Sequence, residues 1–104
     1  MLFYVSWYIS AKDRVMVANL FGNMTAEDEA KDAGENIKII GRWSQLDGAT
    51  GHCIAECSDA SELYKWALNW SPVCDLKITP VVDDTTASAC YQTKPYFQAK
   101  ESQS

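Results

Sequence analysis

Residues 37–84 limit the possible folds of this chain more than any other segment. They contain, in order, an alternating strand, a turn, a second strand, a helix and a last strand. The turn carries Asp47-Gly48, which between two strand-like segments is typical of a β-hairpin. Asp59 and Glu62 predict a capping box at the start of the helix. This order is the second half of a small sandwich in which helices cover one side of a sheet.

The amino-terminal segment supplies the missing strand and helix. Residues 2–9 have apolar or aromatic side chains on both faces, and a strand of this kind is covered on both sides. After it, four apolar side chains recur at the spacing of one buried helical stripe, namely Val17, Leu20, Phe21 and Met24. Thr25 and Asp28 then predict a cap for a short acidic helix over residues 26–33.

The complete order β-α-β-β-α-β predicts an α+β fold, the ferredoxin-like two-layer sandwich. Its four-stranded antiparallel sheet has the first and third strands at the centre and the helices on one face. We expect the second strand to present one apolar face, formed by Ile37, Ile39, Gly41 and Trp43. Pro80 in the last strand favours an edge position, because proline cannot donate to a strand ladder. We expect one domain over residues 1–92, and a tail over residues 93–104 that docks on the domain or on a partner copy.

Charge and hydropathy exclude several classes of partner. Nine Lys and Arg residues against fourteen Asp and Glu residues give a net charge of −5, and the basic residues form no cluster. Nucleic acid and anionic membrane surfaces are therefore poor candidates. No apolar run approaches the roughly 20 residues of a membrane-spanning helix, and the apolar amino terminus lacks the basic leader and cleavage site of an export signal. We expect a cytoplasmic protein.

The four cysteines are expected to be reduced thiols that pack as small apolar side chains. Cys53 and Cys57 on one strand are about 13 Å apart, which is too far for a disulfide. The chain has no C-x-x-C, and its single histidine, His52, faces away from Cys53. The sequence therefore predicts no metal site, and it carries no cofactor motif.

Two polar residues on the third strand are the candidate catalytic groups. His52, expected beside Trp43 across the ladder, is either a general acid or base at the rim of a pocket or a histidine that packs on the indole. Glu56 is expected to be at least half-buried, where a carboxylate needs a partner. It either forms a structural or interface pair, with Lys38 or Arg42 as possible partners, or acts as a base inside a cavity.

Other side chains on strands are candidates for ligand binding, so that the full set is Trp7, Tyr8, Arg42, Trp43, His52 and Glu56. Trp66 and Trp70, one helical turn apart, are expected in the core under the sheet, although such a pair can also stack on a flat ligand. Asp83 and Asp84 are expected to cap a helix over residues 85–91.

Motifs along the chain also carry a family resemblance. They are Gly41-Arg42-Trp43, Gly51 followed by Ile54-Ala55-Glu56, Leu63 with Trp66 and Trp70-Ser71, and Thr79-Pro80-Val81-Val82-Asp83-Asp84. Together they resemble the domain-of-unknown-function 3303 family of small bacterial proteins, over the chain up to about Cys90. That family is similar to the dimeric α+β barrel group, in which two ferredoxin-like sheets pack face to face. The resemblance implies that a second copy of the chain covers the open face of the sheet.

The resemblance implies no reaction, because the wider barrel group ranges from cofactor-free monooxygenases and isomerases to binding modules. The sequence shows no nucleophile with a base, no phosphate-binding glycine loop and no metal cluster. We therefore expect a homodimer that binds a small apolar or aromatic molecule, or serves as a regulatory or interaction module, without catalysis or a cofactor. The alternative is a cofactor-free isomerase or monooxygenase with His52 and Glu56 in its cavity.

Overall fold

Four antiparallel strands form the sheet, in the order β2-β3-β1-β4. The computed structural model describes residues 1–95, so most of the tail that was expected to dock lies outside the described residues. The strands are β1 Leu2–Tyr8, β2 Lys38–Ser44, β3 Thr50–Glu56 and β4 Asp75–Val81. The helices are α1 Arg14–Gly22, α2 Ala26–Ala33, α3 Ala60–Trp70 and α4 Asp84–Tyr91. The predicted ferredoxin-like α+β fold is confirmed, with β1 and β3 at the centre of the sheet.

Alternation along the central strands directs one set of side chains toward the helices. Val5 of β1 lies opposite Cys53 of β3 on one side and Ile78 of β4 on the other. The buried core is formed by Phe3, Val5, Ile37, Cys53, Ala55, Cys57, Leu63 and Trp66. Because β4 pairs only with β1, it is an edge strand, as its Pro80 predicts.

A β-bulge in β2 changes the faces of its side chains. Ile39 lies opposite Ala55, but the next pair joins Gly41 to Ile54, so one residue is extra. An extra residue reverses the alternation of a strand. Ile39 therefore packs against the core, whereas Trp43 lies on the other face of the sheet. The expectation of one apolar face along this strand is wrong for this reason.

Helix α1 turns a different stripe toward the sheet from the one expected. Val17 is its only buried residue, and Leu20 is 53% exposed. The side chains that face the sheet are Arg14, Val17, Ala18 and Phe21, and they line a cavity. The observed stripe shares Val17 and Phe21 with the expected one but is displaced toward the start of the helix, with Arg14 and Ala18 in place of Leu20 and Met24.

Short polar contacts fix the starts of α2 and α3. The Thr25 hydroxyl accepts from the backbone N–H of Asp28, and the Asp28 carboxylate accepts from that of Thr25, so the predicted capping box is confirmed. These hydrogen bonds hold the pKa of Asp28 below its ordinary value. Asp59 caps α3 by accepting a backbone N–H at 2.9 Å. The expected box with Glu62 does not form, and the Glu62 carboxylate pairs with Lys65 at 3.3 Å.

Helix α4 follows β4 after a short turn. The Asp83 carboxylate accepts from the backbone N–H of Thr86 at 2.8 Å, so the predicted cap is confirmed, and this bond lowers the pKa of Asp83. The helix has no buried residue. None of the helices in residues 1–95 has the length and apolar character that crossing a membrane requires.

Candidate functional site

Residues of α1, α3 and the sheet line a cavity of about 290 Å³. Its aromatic lining consists of Trp7, Phe21, Trp66 and Trp70. The volume lies at the lower end of the roughly 300–1,000 Å³ typical of small-molecule sites. The cavity therefore has room for a molecule of one or two rings.

Trp66 and Trp70 form the α3 wall of the cavity, and Asp32 at the end of α2 holds both indoles. Trp66 Nε1 donates to Asp32 Oδ2 at 2.9 Å, and Trp70 Nε1 donates to the same oxygen at 2.8 Å. Asn69 Nδ2 donates to Asp32 Oδ1 at 3.1 Å. Because the carboxylate takes both indole N–H groups, these two rings offer a ligand apolar contact and no hydrogen-bond donor.

Trp7 reaches the cavity from the central strand β1. Its ladder partner on β3 is Gly51. A Cβ atom at position 51 would lie 2.4 Å from Trp7 Cζ2, so the indole rests directly on the glycine backbone. Glycine in a strand marks a close approach of this kind. Any larger residue at position 51 would push Trp7 into the cavity or away from the sheet.

Two arginines bring positive charge to the lining. Arg42 of β2 donates through Nη2 to Glu29 of α2 at 2.8 Å, and its Cζ lies 4.6 Å from the centre of the Phe21 ring. Arg14 of α1 donates through Nε and Nη2 to the backbone carbonyl of Ile9, at 3.3 and 3.0 Å. Arg42 therefore joins β2 to both α1 and α2, and Arg14 holds α1 to the chain just after β1.

The thiols near the cavity are kept protonated. Cys74 lines the cavity, and burial together with the nearby carboxylates of Asp13 and Asp75 raises its pKa. Burial raises the pKa of Cys53 to about 11, although Arg42 acts in the opposite direction. A protonated thiol is a weak nucleophile. Cys53, Cys57 and Cys74 are buried as expected, whereas Cys90 is exposed, so the expectation that all four cysteines pack as apolar side chains is wrong for Cys90.

The described part of the lining has few groups that exchange protons. No histidine, aspartate or glutamate lines the cavity among residues 1–95. Nor do three or more histidine, cysteine or acidic side chains of these residues come together as metal ligands. The chemistry that the described lining offers is aromatic contact, a hydroxyl from Ser44 and the two guanidinium groups.

An aromatic cluster of Tyr4, Trp43 and His52 lies on the opposite, open face of the sheet. The centre of the His52 ring is 5.8 Å from that of Tyr4 and 5.5 Å from that of Trp43. His52 Nδ1 is buried and has no hydrogen-bond partner among the described residues. The two flanking rings remain accessible, since Trp43 is 53% exposed and Tyr4 is 36% exposed.

The predicted site residues lie on both faces of the sheet and do not form one site. Trp7 and Arg42 line the cavity. The strand registers place the other four on the open face, namely Tyr8, Trp43, His52 and Glu56. His52 lies opposite Trp43 in the ladder and contacts its ring.

Glu56 does not have the environment expected for it. It is the last residue of β3 and is exposed, so the expectation that it is at least half-buried is wrong. Its ladder neighbours are Leu2 and Lys38. The sequence pattern placed it in the middle of a strand, whereas the strand ends there and leaves the carboxylate in water.

Among the aromatic and charged residues that line the cavity, four were not among the candidates, namely Arg14, Phe21, Trp66 and Trp70. Trp66 and Trp70 were expected in the core; Trp66 belongs to it, Trp70 packs against it, and both also line the cavity. Arg14 and Phe21 stand at helical spacing in the sequence, but an arginine interrupts the apolar pattern that predicts a buried stripe. No pattern pairs Asp32 with two indoles that lie 34 and 38 residues further along the chain.

Comparisons with known proteins agree with the fold. The family model described as a domain of unknown function (DUF3303) matches residues 1–94. The crystal structure of an antibiotic biosynthesis monooxygenase is similar over 80% of this chain and 100% of its own, with 12% identity and a TM-score of 0.51. That of an uncharacterized NIPSNAP domain protein from Burkholderia xenovorans covers 81% of this chain and 97% of its own, with 13% identity and a TM-score of 0.47. The comparison with curated proteins finds no match. At 12% identity, the similarity to the monooxygenase structure shows the fold alone.

Proposed function

Since the chain belongs to the DUF3303 family of domains of unknown function, we propose its function from its own cavity. The protein binds a small aromatic molecule between α1, α3 and the sheet, without catalysis, and it works as a homodimer. The observation that carries this proposal is the cavity of about 290 Å³ with aromatic residues on several sides.

The shape and lining of the cavity support binding. Well-packed protein interiors leave few voids larger than a water molecule, and this space is many times larger. Its aromatic residues come from β1, α1 and α3, so a flat molecule that enters meets rings on more than one side. Aromatic rings in contact are worth about 0.5–1.5 kcal/mol beyond their buried area. A one- or two-ring aromatic molecule gains most from such a lining.

The described lining favours binding over catalysis. General acid or base work needs a group that gains or loses a proton near neutral pH, and none of the described lining residues is a histidine or a carboxylic acid. The alternative, a cofactor-free isomerase or monooxygenase, relied on His52 and Glu56. These two residues lie on the other face of the sheet, away from this cavity.

A variant that fills the cavity tests the proposal. Fluorine NMR of a library of one- and two-ring aromatic compounds is expected to detect binding to the wild-type protein. Ala67 lines the cavity, so Ala67→Phe is expected to abolish that binding. Leu68, its neighbour on α3, is 52% exposed and does not line the cavity, so Leu68→Phe serves as the matched control. No detected binding, or binding that survives Ala67→Phe, would contradict the proposal.

The open face of the sheet supports the homodimer. The aromatic cluster of Tyr4, Trp43 and His52 there remains partly exposed, with Trp43 53% and Tyr4 36% exposed. Contiguous exposed apolar surface on a small protein marks an interaction site. A second copy of the same sheet offers a self-complementary partner with two-fold symmetry.

Sedimentation velocity at micromolar concentration tests the homodimer. Trp43→Glu places a charge in the proposed interface and is expected to give a monomer. Tyr64 is 65% exposed on α3, on the helical side of the molecule, so Tyr64→Glu is the matched control and is expected to stay dimeric. A wild-type monomer, or a Trp43→Glu dimer of unchanged stability, refutes this part of the proposal.

We place the protein in the cytoplasm as part of the same proposal. Its four cysteines are free, and unpaired thiols persist in reducing compartments. Fractionation of cells that express the protein, followed by immunoblotting, tests this placement.

A further inference from the structure

The two walls of the cavity differ in chemistry. The wall formed by α3 and β4 is apolar and consists mainly of Trp66, Ala67, Trp70, Leu76 and Ile78. The opposite wall, formed by α1 and β2, contains Arg14, Arg42 and Ser44. A molecule that fills the cavity therefore meets rings on more than one side, but it meets cationic groups only on the side of α1 and β2.

Arg14 has no acidic partner among the described residues. Both of its hydrogen bonds go to the carbonyl of Ile9, which carries only a partial charge. None of the ion pairs within residues 1–95 includes Arg14. Its guanidinium is partly withdrawn from water and keeps further N–H donors for another acceptor. A partly buried cation without a counter-charge is the kind of group that an anionic ligand satisfies.

Arg42 is the second cation, and Glu29 partly neutralises it. Arg42 Nη2 lies 2.8 Å from Glu29 Oε1, and 27% of the Arg42 side chain and 40% of the Glu29 side chain are exposed. Only Nη2 of Arg42 takes part in this pair. Glu29 therefore competes with a ligand for Arg42 without using all of its donors.

We propose that the ligand is an aromatic carboxylate, with its ring against Trp66 and Trp70 and its carboxylate directed toward the side of the cavity that carries Arg14 and Arg42. This inference rests on the proposed binding function and names the chemical class of the ligand. The indole N–H groups of the apolar wall already donate to Asp32, so a polar substituent gains nothing there. Guanidinium groups bind carboxylates through paired N–H donors. The carboxylate end of the ligand therefore lies toward α1 and β2.

A matched pair of probes separates this inference from the binding function itself. 2-Naphthoate and neutral 2-naphthamide have the same ring system and differ in charge. Isothermal titration calorimetry is expected to show 2-naphthoate binding at least about tenfold more tightly, since hydrogen bonds to charged groups are worth more than neutral ones. Equal affinities for the two probes would overturn the carboxylate inference and leave the binding function standing. Binding of neither probe would overturn both.

Replacement of Arg14 tests whether this residue binds the carboxylate of the ligand. Arg14→Met is expected to weaken 2-naphthoate binding by about tenfold or more and to leave 2-naphthamide binding unchanged. Lys12→Met removes one positive charge from an exposed neighbour and is the matched control for the overall charge of the protein. An equal effect of Arg14→Met and Lys12→Met on 2-naphthoate would contradict the inference.

Replacement of Glu29 should change the affinity for 2-naphthoate in the opposite direction. Glu29→Gln frees Arg42 from its competitor, so 2-naphthoate is expected to bind roughly three- to tenfold more tightly. Glu27→Gln on the same helix is the control, because Glu27 is 78% exposed and pairs with Lys31. Weaker or unchanged 2-naphthoate binding in Glu29→Gln would contradict the role of Arg42.

Discussion

Replacing Asp32 with alanine should destabilise the protein more than any other single change to the surface of α2. The Asp32 carboxylate accepts from Trp66 Nε1 at 2.9 Å and from Trp70 Nε1 at 2.8 Å, which joins α2 to α3. A hydrogen bond to a charged group contributes about 1.5–3 kcal/mol. Because both bonds are only partly buried, we take the lower value for each and expect a loss of about 3 kcal/mol in the free energy of unfolding.

A loss of this size is a large share of the roughly 5–15 kcal/mol that stabilises a typical domain. Urea denaturation followed by circular dichroism, at one fixed protein concentration, measures it as a shift of the midpoint with an unchanged slope. Asp32→Asn keeps one acceptor oxygen and should lose about half as much. Both variants should also weaken ligand binding, since Asp32 orients the two indoles of the cavity wall.

Glu27→Ala is the control for the acidic character of α2. Glu27 is 78% exposed and pairs with Lys31 at 3.3 Å, one turn further along the helix. A pair of this kind contributes less than about 0.5 kcal/mol. If Asp32→Ala shifts the urea midpoint no more than Glu27→Ala does, the carboxylate does not join α2 to α3 and our description of the cavity wall is wrong.

Three further predictions follow from the packing, the thiols and the helix caps. Gly51→Ala should cost about 1–3 kcal/mol in thermal or urea unfolding, because its Cβ would lie 2.4 Å from Trp7, whereas Gly22→Ala has nothing within 4 Å and should be neutral or stabilising. In the native protein a thiol reagent such as Ellman's reagent should modify exposed Cys90 quickly and the three buried cysteines only after unfolding; rapid modification of all four would contradict the core. Hydrogen bonds from Ser61 at the start of α3 lower the pKa of Asp59 below its ordinary value of 3.8. The stability that Asp59 contributes is therefore fully present above pH 3.8. It is lost as the pH falls from 3.8 through the lowered pKa. Asp59→Asn should reduce the loss of stability in that range, as measured by urea denaturation at a series of pH values.

The sequence predicted the topology because its local patterns agree with one another. The Asp47-Gly48 turn, the Thr25 box and Pro80 each specify a boundary or an edge, and all three occur where expected. In the turn, Gly48 has a φ of +72° and the Asp47 carboxylate accepts the backbone N–H of Ala49 at 2.9 Å. Such features depend on residues close together in the chain, which is why a single sequence reveals them.

The bulge in β2 and the cavity were harder to predict. A bulge adds one residue without a characteristic side chain, so the alternation of Ile39 and Trp43 in the sequence gave the wrong face for Trp43. The cavity depends on how far α1 stands from the sheet, and no local pattern determines that distance. The inner stripe of α1 starts at Arg14, a charged residue. It was not predicted because an apolar pattern indicates only those inner faces that are apolar.

The indole N–H resonances of the tryptophans test the central claim most directly. Three of the four tryptophans, Trp7, Trp66 and Trp70, line the cavity, and Trp43 lies on the open face. A ¹⁵N-labelled sample, with each indole signal assigned by a Trp→Phe variant, is titrated with 2-naphthoate. We predict that the resonances of the three cavity tryptophans shift together while that of Trp43 stays in place. A shift of the Trp43 resonance alone would show that small molecules bind the open face and would contradict the cavity as the site.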